Sequence, residues 1–397
     1  MIDGASSAEA TVRLPGAGDS LNPVFSSRRL DGLALADQGS AALVERLLQI
    51  AVRYLPRVRT RGDFAFRLDG TRGSDGHWQL AVSGRSPRYA AIVALGLMRA
   101  SDQAQRHVLG GDSCDDLVGR LVGQVDAMTS VGDVALVCWA AAEARHDGLP
   151  KALRRLTELD QPGGSCYLVD AAWVVSALVA ARTQADVEDH LRRARGRLLA
   201  ARGAALYPHI IGNTAPWYRT HVGSFADQVY PLQALARLHA SSDDPEALAV
   251  GNSIADMICT AQGGAGQWWW HYDSRTGRVV EGYPVYSVHQ HAMAPMALLD
   301  LADAGGNLQM DAICRGLQWL ASPPETTEDL ILDEPGVTWR KVARSDQRKA
   351  VRGLRAASTR IHPGFRLSVL DKVFPPGAVD RECRPYELGW LLMTWLS

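Results

Sequence analysis

No sign of charge dominates this chain: 42 lysines and arginines stand against 43 aspartates and glutamates. A balance of that kind supplies no bulk field toward nucleic acid or an acidic membrane, so neither is expected as a partner. Cysteine is also scarce. The six residues Cys114, Cys138, Cys166, Cys259, Cys314 and Cys383 lie far apart without a CxxC pair. They read as reduced thiols in a cytoplasmic protein, where a free cysteine acts as a small hydrophobe. Long apolar runs are missing too. The longest, AAWVVSALVAA at 171–181, is about half of what a bilayer crossing needs, so no membrane span is expected. The opening stretch MIDGASSAEATVRLPGAGDS has no basic start and no apolar stretch of signal-peptide length, and residues 1–39 read as a mobile leader. Almost no segment alternates apolar with polar, which removes half-buried strands as a main element.

What is present is helical periodicity, from residue 40 onward. Amphipathic segments alternate with segments that are apolar on most sides: 40–56 with 86–101, 115–128 with 132–144, and 149–160 with 167–181. Three further pairs are 186–201 with 224–239, 244–261 with 286–302, and 307–321 with 384–396. A helix apolar on most sides is buried on most sides, whereas its amphipathic partner faces solvent. Six hairpins of this kind predict an inner helical ring wrapped by an outer one, in a single domain spanning 40–397. The pattern resembles the all-α (α/α)6 toroid, and closure is favoured over an open stack because the buried members lack polar end-caps.

Loop lengths are asymmetric. Connections from outer to inner helices are long, reaching about 60 residues at 322–383, and those from inner to outer are short. The long loops therefore gather on the face where the inner helices begin, and binding residues usually sit on such loops over a rigid scaffold. Helix N-termini converging beneath them bias the floor toward anions.

Candidate residues follow from this placement. For catalysis, Asp227 in SFADQVYPLQAL is expected to project inward while Ser224 caps its helix, and Glu387 in ECRPYELGWLL sits one turn into the last inner helix. Two such carboxylates suit general acid and base about a glycosidic bond. Asp170, His289 and His221 are further proton-transfer candidates, and Asp133 fits a helix cap equally well. For substrate binding, the sequence GQWWWHYD offers Trp268, Trp269, Trp270, His271 and Asp273. Three adjacent tryptophans cannot all face one core, so at least one is expected to wall the mouth. The loop YPHIIGNTAPWYRTHVGSF holds His209, Asn213, Trp217, Tyr218 and Arg219, an aromatic platform beside a cation and an imidazole. Arg88, Tyr89, Gln228, Tyr286, Gln290 and Arg384 lie in the first turns of inner helices. A bland alternative for Arg384 and Glu387 is a simple helical ion pair, and GVTWRKVAR reads as a solvated basic turn. His289 and His291 stand two apart and point in different directions on a helix, so no metal and no cofactor is expected.

Sugar rings stack their C–H faces on aromatic rings and need several directed polar groups around their hydroxyls. These candidates supply both. The toroid is shared by many glycoside hydrolases, polysaccharide lyases and sugar epimerases. The segments GQWWWHYDSRTGRVVEGYPVYSVHQHAMAPMAL and ECRPYELGWLL resemble uncharacterised bacterial proteins of exopolysaccharide gene clusters. The resemblance implies a glycan role and names no reaction; the candidate carboxylates make a carbohydrate-active enzyme on a neutral or anionic glycan the expectation, with hydrolysis first, then elimination or epimerisation. Two other classes stay open. QGGAGQW at 262–268 matches one QxxxGxW repeat of squalene-type cyclases, but their DxDD is absent. A noncatalytic glycan-binding protein would keep the aromatic platforms without needing the carboxylates. Oligomeric state is not legible.

Overall fold

A computed structural model describes residues 25–345, 349–365 and 367–397. Its helices are α1 (Arg28–Ala36), α2 (Gln38–Tyr54), α3 (Pro87–Leu97), α4 (Asp102–Val108), α5 (Cys114–Gln124), α6 (Val131–Glu143), α7 (Leu149–Leu159) and α8 (Leu168–Ala181). They continue with α9 (Glu188–Ala200), α10 (Ala226–Ser242), α11 (Pro245–Thr260), α12 (Ala294–Asp303), α13 (Met310–Ala321), α14 (Lys349–Ile361), α15 (Ser368–Val373) and α16 (Pro385–Trp395). The inner ring runs α3, α6, α8, α10, α12, α16 and back to α3, each packed on the next. Outside it stand α2, α5, α7, α9, α11 and α13. The protein is an (α/α)6 toroid, and all six expected hairpins are present.

The inner helices show why the ring closes. Residues Tyr89–Leu97 of α3 and Leu388–Trp395 of α16 are buried without a break. Where the first and last inner helices meet, glycine faces backbone. A Cβ on Gly96 would stand 2.2 Å from the Gly389 carbonyl oxygen, and one on Gly389 would stand 2.7 Å from that of Ile92. Only residues without a side chain allow this approach.

The fifth inner helix begins as a π-turn at His289–Met293 before α12. Pro295 lacks an N–H and so leaves the His291 carbonyl without its helical donor. The Trp395 indole fills that gap, donating to His291 O at 2.8 Å.

Two expectations about connections need correction. The links at 125–130 and 160–167 are short although they run from outer to inner helices, and α4 occupies an inner-to-outer link. The mouth is therefore built from four long loops, at 55–86, 201–225, 261–288 and 322–384. Short antiparallel strands stitch these loops to their neighbours: Glu382–Cys383 pairs with Arg67–Arg72, Lys341–Arg344 with Val285–Tyr286, and Val222–Ser224 with His271–Asp273. Cys166–Tyr167 pairs with Ile210–Ile211 to bring in the third connection.

The leader expected at 1–39 also changes. Residues 1–24 lie outside the described structure, but 28–36 form α1. Its buried Arg29 pairs with Asp300 at 2.6 Å and Asp303 at 2.7 Å and donates to Thr394 O at 3.0 Å. That helix clamps α12 to α16 and belongs to the folded body. No helix among the described residues is long and apolar enough to cross a membrane.

Candidate functional site

The first turns of the inner helices surround a central cavity of about 270 Å³, lined by Arg88, Tyr89, Val169, Trp173, Ser224, Tyr230, Trp270, Tyr286, His289, Arg340 and Tyr386 among others. Ser224 and Trp270 also line an adjoining annex of about 480 Å³ with His209, Tyr218, Arg219, Val222, His271, Arg352 and Gly353. The two spaces share a wall under the stitched loops.

Aromatic faces dominate the central wall. Tyr89 lies 4.7 Å from Tyr386 between ring centres, Trp173 packs edge-on against Tyr230 at 5.0 Å, and Arg88 lies over the Trp173 ring at 5.1 Å. The Arg88 guanidinium donates to Asp133 Oδ1 at 2.5 Å and to Ser130 Oγ at 3.2 Å. Asp133 is thereby spent on placing Arg88.

Asp170, one turn into α8, stands 3.9 Å from Arg88, too far for a hydrogen bond. Burial raises its pKa above the ordinary carboxylate value, with Arg88 and His209 opposing and Asp133 adding to the rise. It stands behind the cavity residue Arg88, and a carboxyl whose pKa is raised this way is suited to proton transfer.

The second proton carrier is His209, which the sequence analysis left as one member of a mixed loop. Asp227 is fully buried, and it does not project into the cavity as expected. Its carboxylate accepts from Ser224 N at 2.6 Å and Ser224 Oγ at 2.7 Å, while Ser224 Oγ accepts from Asp227 N at 3.2 Å. This reciprocal bonding at the helix start uses the acid that was expected to stay free. The remaining contact is with His209, whose Nδ1 lies 2.9 Å from Asp227 Oδ2. Asp227 orients the imidazole, and the imidazole, 47 % exposed at its side chain, lines the annex. The hydrogen bond to Asp227 raises the His209 pKa above its ordinary value, against the opposing effect of burial. The signal available in the sequence was the H-x₁₇-D separation of His209 from Asp227, which carries no local periodicity.

Glu387 requires a second correction. It is buried behind Tyr386 and does not line the cavity; both oxygens lack a hydrogen-bond partner among the described residues. Arg340 Nε approaches only to 3.7 Å, so desolvation prevails over attraction and the carboxyl pKa rises to about 8. The helical pair with Arg384 does not form. Arg384 instead pairs with Glu382 and donates to the Tyr89 hydroxyl at 2.9 Å. The supposed basic turn delivers Arg340 to the cavity, its guanidinium over Tyr286 at 5.1 Å.

A stability measurement follows from Glu387. Its folded pKa lies above the unfolded value, so between about pH 4.5 and 8 the folded chain holds a proton that the unfolded chain releases. Stability from this group therefore falls as pH rises through that window. Glu387→Gln keeps the shape without the titration, and its denaturation midpoint should overtake wild type progressively from pH 5 to 8. Parallel curves for the two proteins would contradict this assignment.

The remaining candidates divide clearly. His289 lines the cavity, packed 4.5 Å from Phe225 and 4.9 Å from Tyr286, and burial drops its pKa to about 3, so it is neutral and carries no charge to the site. His221 is not at the cavity: its Nε2 meets Thr359 Oγ1 of α14 at 2.9 Å. Burial lowers its pKa to about 4. Of the three tryptophans, Trp268 is core against Phe225, Trp269 packs edge-on against Tyr283, and only Trp270 walls both spaces. His271 stacks on Trp270 at 3.8 Å. Asp273 is tied to Arg275 in a turn, Gln228 binds the backbone of Tyr207 and Ser224, and Gln290 donates to Tyr286 O. These three are structural. Trp217 is 65 % exposed and Asn213 is exposed; neither lines the cavities. Arg88, Tyr89, Tyr286 and Arg219 do.

No family model matches the chain, and no curated protein matches it by sequence. Solved structures define the class of fold. An unsaturated glucuronyl hydrolase specific for heparin superimposes with a TM-score of 0.54 at 11% identity, over 90% of this chain and 96% of that one. An unsaturated glucuronyl hydrolase from Bacillus sp. GL1, responsible for the degradation of glycosaminoglycan, gives 0.53 at 11% identity over 88% and 94%. A sugar epimerase from a ruminal bacterium gives 0.54 at 10% identity over 90% and 98%. At such identities the likeness concerns the toroid alone.

Proposed function

We propose that this chain is a glycan-processing enzyme that takes an oligo- or polysaccharide into the central cavity and acts on it by general acid and base chemistry. The observation that supports the reading is a pair of neighbouring titratable groups, Asp170 beside the cavity residue Arg88 and His209 held by Asp227 at the annex, in two spaces that share Ser224 and Trp270 as a common wall. Asp170 is the base and His209 the acid. Burial raises the Asp170 pKa and the Asp227 hydrogen bond raises that of His209, which brings the base closer to neutral pH and favours the protonated acid.

In hydrolysis Asp170 takes the proton of an attacking water, while His209 gives its Nε2 proton to the departing glycosidic oxygen. Arg88 and Arg340 stabilise negative charge on the sugar, and the aromatic rings hold its C–H faces. The same pair serves proton abstraction beside a carboxylate, which is why elimination and epimerisation remain the next readings. The fold neighbours, hydrolases and an epimerase acting on sugars, support this class.

The test is incubation with neutral and uronate-containing oligosaccharides, read by mass spectrometry. Cleavage with gain of one water is expected. Cleavage with a new unsaturated end would replace hydrolysis by elimination, and no change in any saccharide would end the enzymatic reading. A titration adds a structural check: NMR of His209 in Asp227→Asn should show its pKa falling toward 6.5, whereas an unmoved titration would dissolve the His209–Asp227 unit.

A further inference from the structure

The annex, which His209 also lines, carries two cations that the acid and base chemistry does not use. Arg219, from the turn Trp217–Arg219, and Arg352, from α14, face the same space with His209. Neither arginine pairs with a carboxylate among the described residues, and no carboxylate residue lines the annex. Arg352 lies over the Trp270 ring at 4.6 Å. Burial first, and the repulsion of Arg352 as well, lower the Arg219 pKa. Two half-buried guanidinium groups that repel each other and have no counter-charge beside them among the described residues cost free energy. Arg88 and Arg340 in the central cavity are instead compensated by Asp133 and Glu382.

The position of α14 is fixed rather than incidental. Arg355 Nε pairs with Glu281 at 2.9 Å, Thr359 Oγ1 meets His221, and Arg275 donates to the Thr359 carbonyl at 2.8 Å. The 322–384 connection therefore builds one wall of the annex with a cation, and Trp270 joins that wall to the reaction cavity.

We infer that the annex is an oxyanion subsite, in which Arg219 and Arg352 clamp a carboxylate or sulfate on the sugar unit next to the one that reacts at Asp170. The inference rests on the proposed glycan reading and adds a selection rule to it: the substrate is acidic one residue away from the cleaved or epimerised centre. A guanidinium fork suits either planar or tetrahedral oxyanions, and Trp270 supplies the stacking face beneath that sugar.

The experiment uses the full chain and calorimetric binding of three disaccharides on one skeleton: a glucuronate-containing form, its carboxyl-reduced neutral analogue, and that analogue bearing a sulfate. At least one acidic form should bind about tenfold or more tightly than the neutral one, with the preference shrinking as salt is raised. Binding of only the glucuronate form identifies a carboxylate subsite, of only the sulfated form a sulfate subsite, and of both a general oxyanion clamp. In Arg219→Gln/Arg352→Gln the acidic forms should fall to the neutral affinity, and Arg219→Lys/Arg352→Lys should restore part of the preference. Unfolding curves establish that the variants fold. Equal affinity of wild type for all three, including equal absence of binding, overturns the subsite, as does a preference that survives the double glutamine variant. Loss of the subsite would leave the dependence of turnover on Asp170 intact, so the two readings fail separately.

Discussion

Asp170→Asn should reduce kcat on the oligosaccharide that the chain processes by about 10²–10⁴-fold, while the dissociation constant changes only a few-fold. Asparagine preserves the size of the side chain and its place 3.9 Å from Arg88, so packing and sugar stacking persist. What disappears is the ability to accept a proton. Among the described residues the Asp170 carboxylate has only the 3.9 Å ion pair with Arg88 to lose, so a loss of kcat with affinity and stability retained reads as chemistry. The pH profile of the wild type should be bell-shaped, with its acidic limb above the ordinary aspartate range because burial raises Asp170, and its alkaline limb above 6.5 because Asp227 raises His209. Asp227→Asn should move the alkaline limb down. An Asp170→Asn protein that retains wild-type kcat would remove the base assigned here, whatever its affinity.

The second large effect concerns the seam of the ring. Replacing a helical glycine by alanine usually stabilises a helix by about 1 kcal/mol, and Gly196→Ala on α9, where an added Cβ meets nothing within 4 Å, should do so. Gly96→Ala and Gly389→Ala should reverse that sign. Each new Cβ would collide with backbone, at 2.2 Å and 2.7 Å, and backbone of packed inner helices cannot swing aside as a flexible side chain would. Overpacking of this sort costs about 1–3 kcal/mol and occasionally more, and here the strain falls on the one junction that joins the first and last inner helices. Denaturant unfolding should show both variants destabilised against Gly196→Ala, with the Gly96→Ala/Gly389→Ala double variant departing from additivity because the two sites touch. Stabilisation by either single alanine would mean that α3 and α16 do not meet as described.

Much of the architecture was legible because helical burial leaves a periodic trace. The contrast between α7, with Leu149, Ala152 and Leu156 buried on one side, and α8, buried along nearly its whole length, is a contrast of composition that the eye can count. Ring order follows from hairpins of alternating kind. Loops and caps leave no such trace. Arg29 looked like part of a leader because its partners Asp300 and Asp303 lie at the far end of the chain, and Arg340 looked like surface because the strand pairing that draws it inward joins residues 285–286 to 341–344.

The site divided in the same way. Arg88, Tyr89, Tyr286 and Trp270 line the cavity where position on an inner helix or at the mouth implied, while Asp170 stands beside Arg88 without lining it. Asp227 was found but misread: the sequence shows a serine and an aspartate three apart, and both directions of their bonding are compatible with that spacing. Which way the carboxylate turns depends on His209, eighteen residues upstream and beyond any local pattern. Glu387 failed for a different reason. One helical position decides whether a carboxylate enters a cavity or stops behind its wall, and Tyr386 holds the cavity position.

The most direct measurement of the central claim is a crystal structure of Asp170→Asn soaked with a uronate-containing oligosaccharide that the wild type converts. The account predicts a sugar ring over Trp173 and Trp270, with its reacting centre within hydrogen-bond reach of both position 170 and His209 Nε2. Saccharide bound on another face of the toroid, with the central cavity holding only solvent, would contradict it.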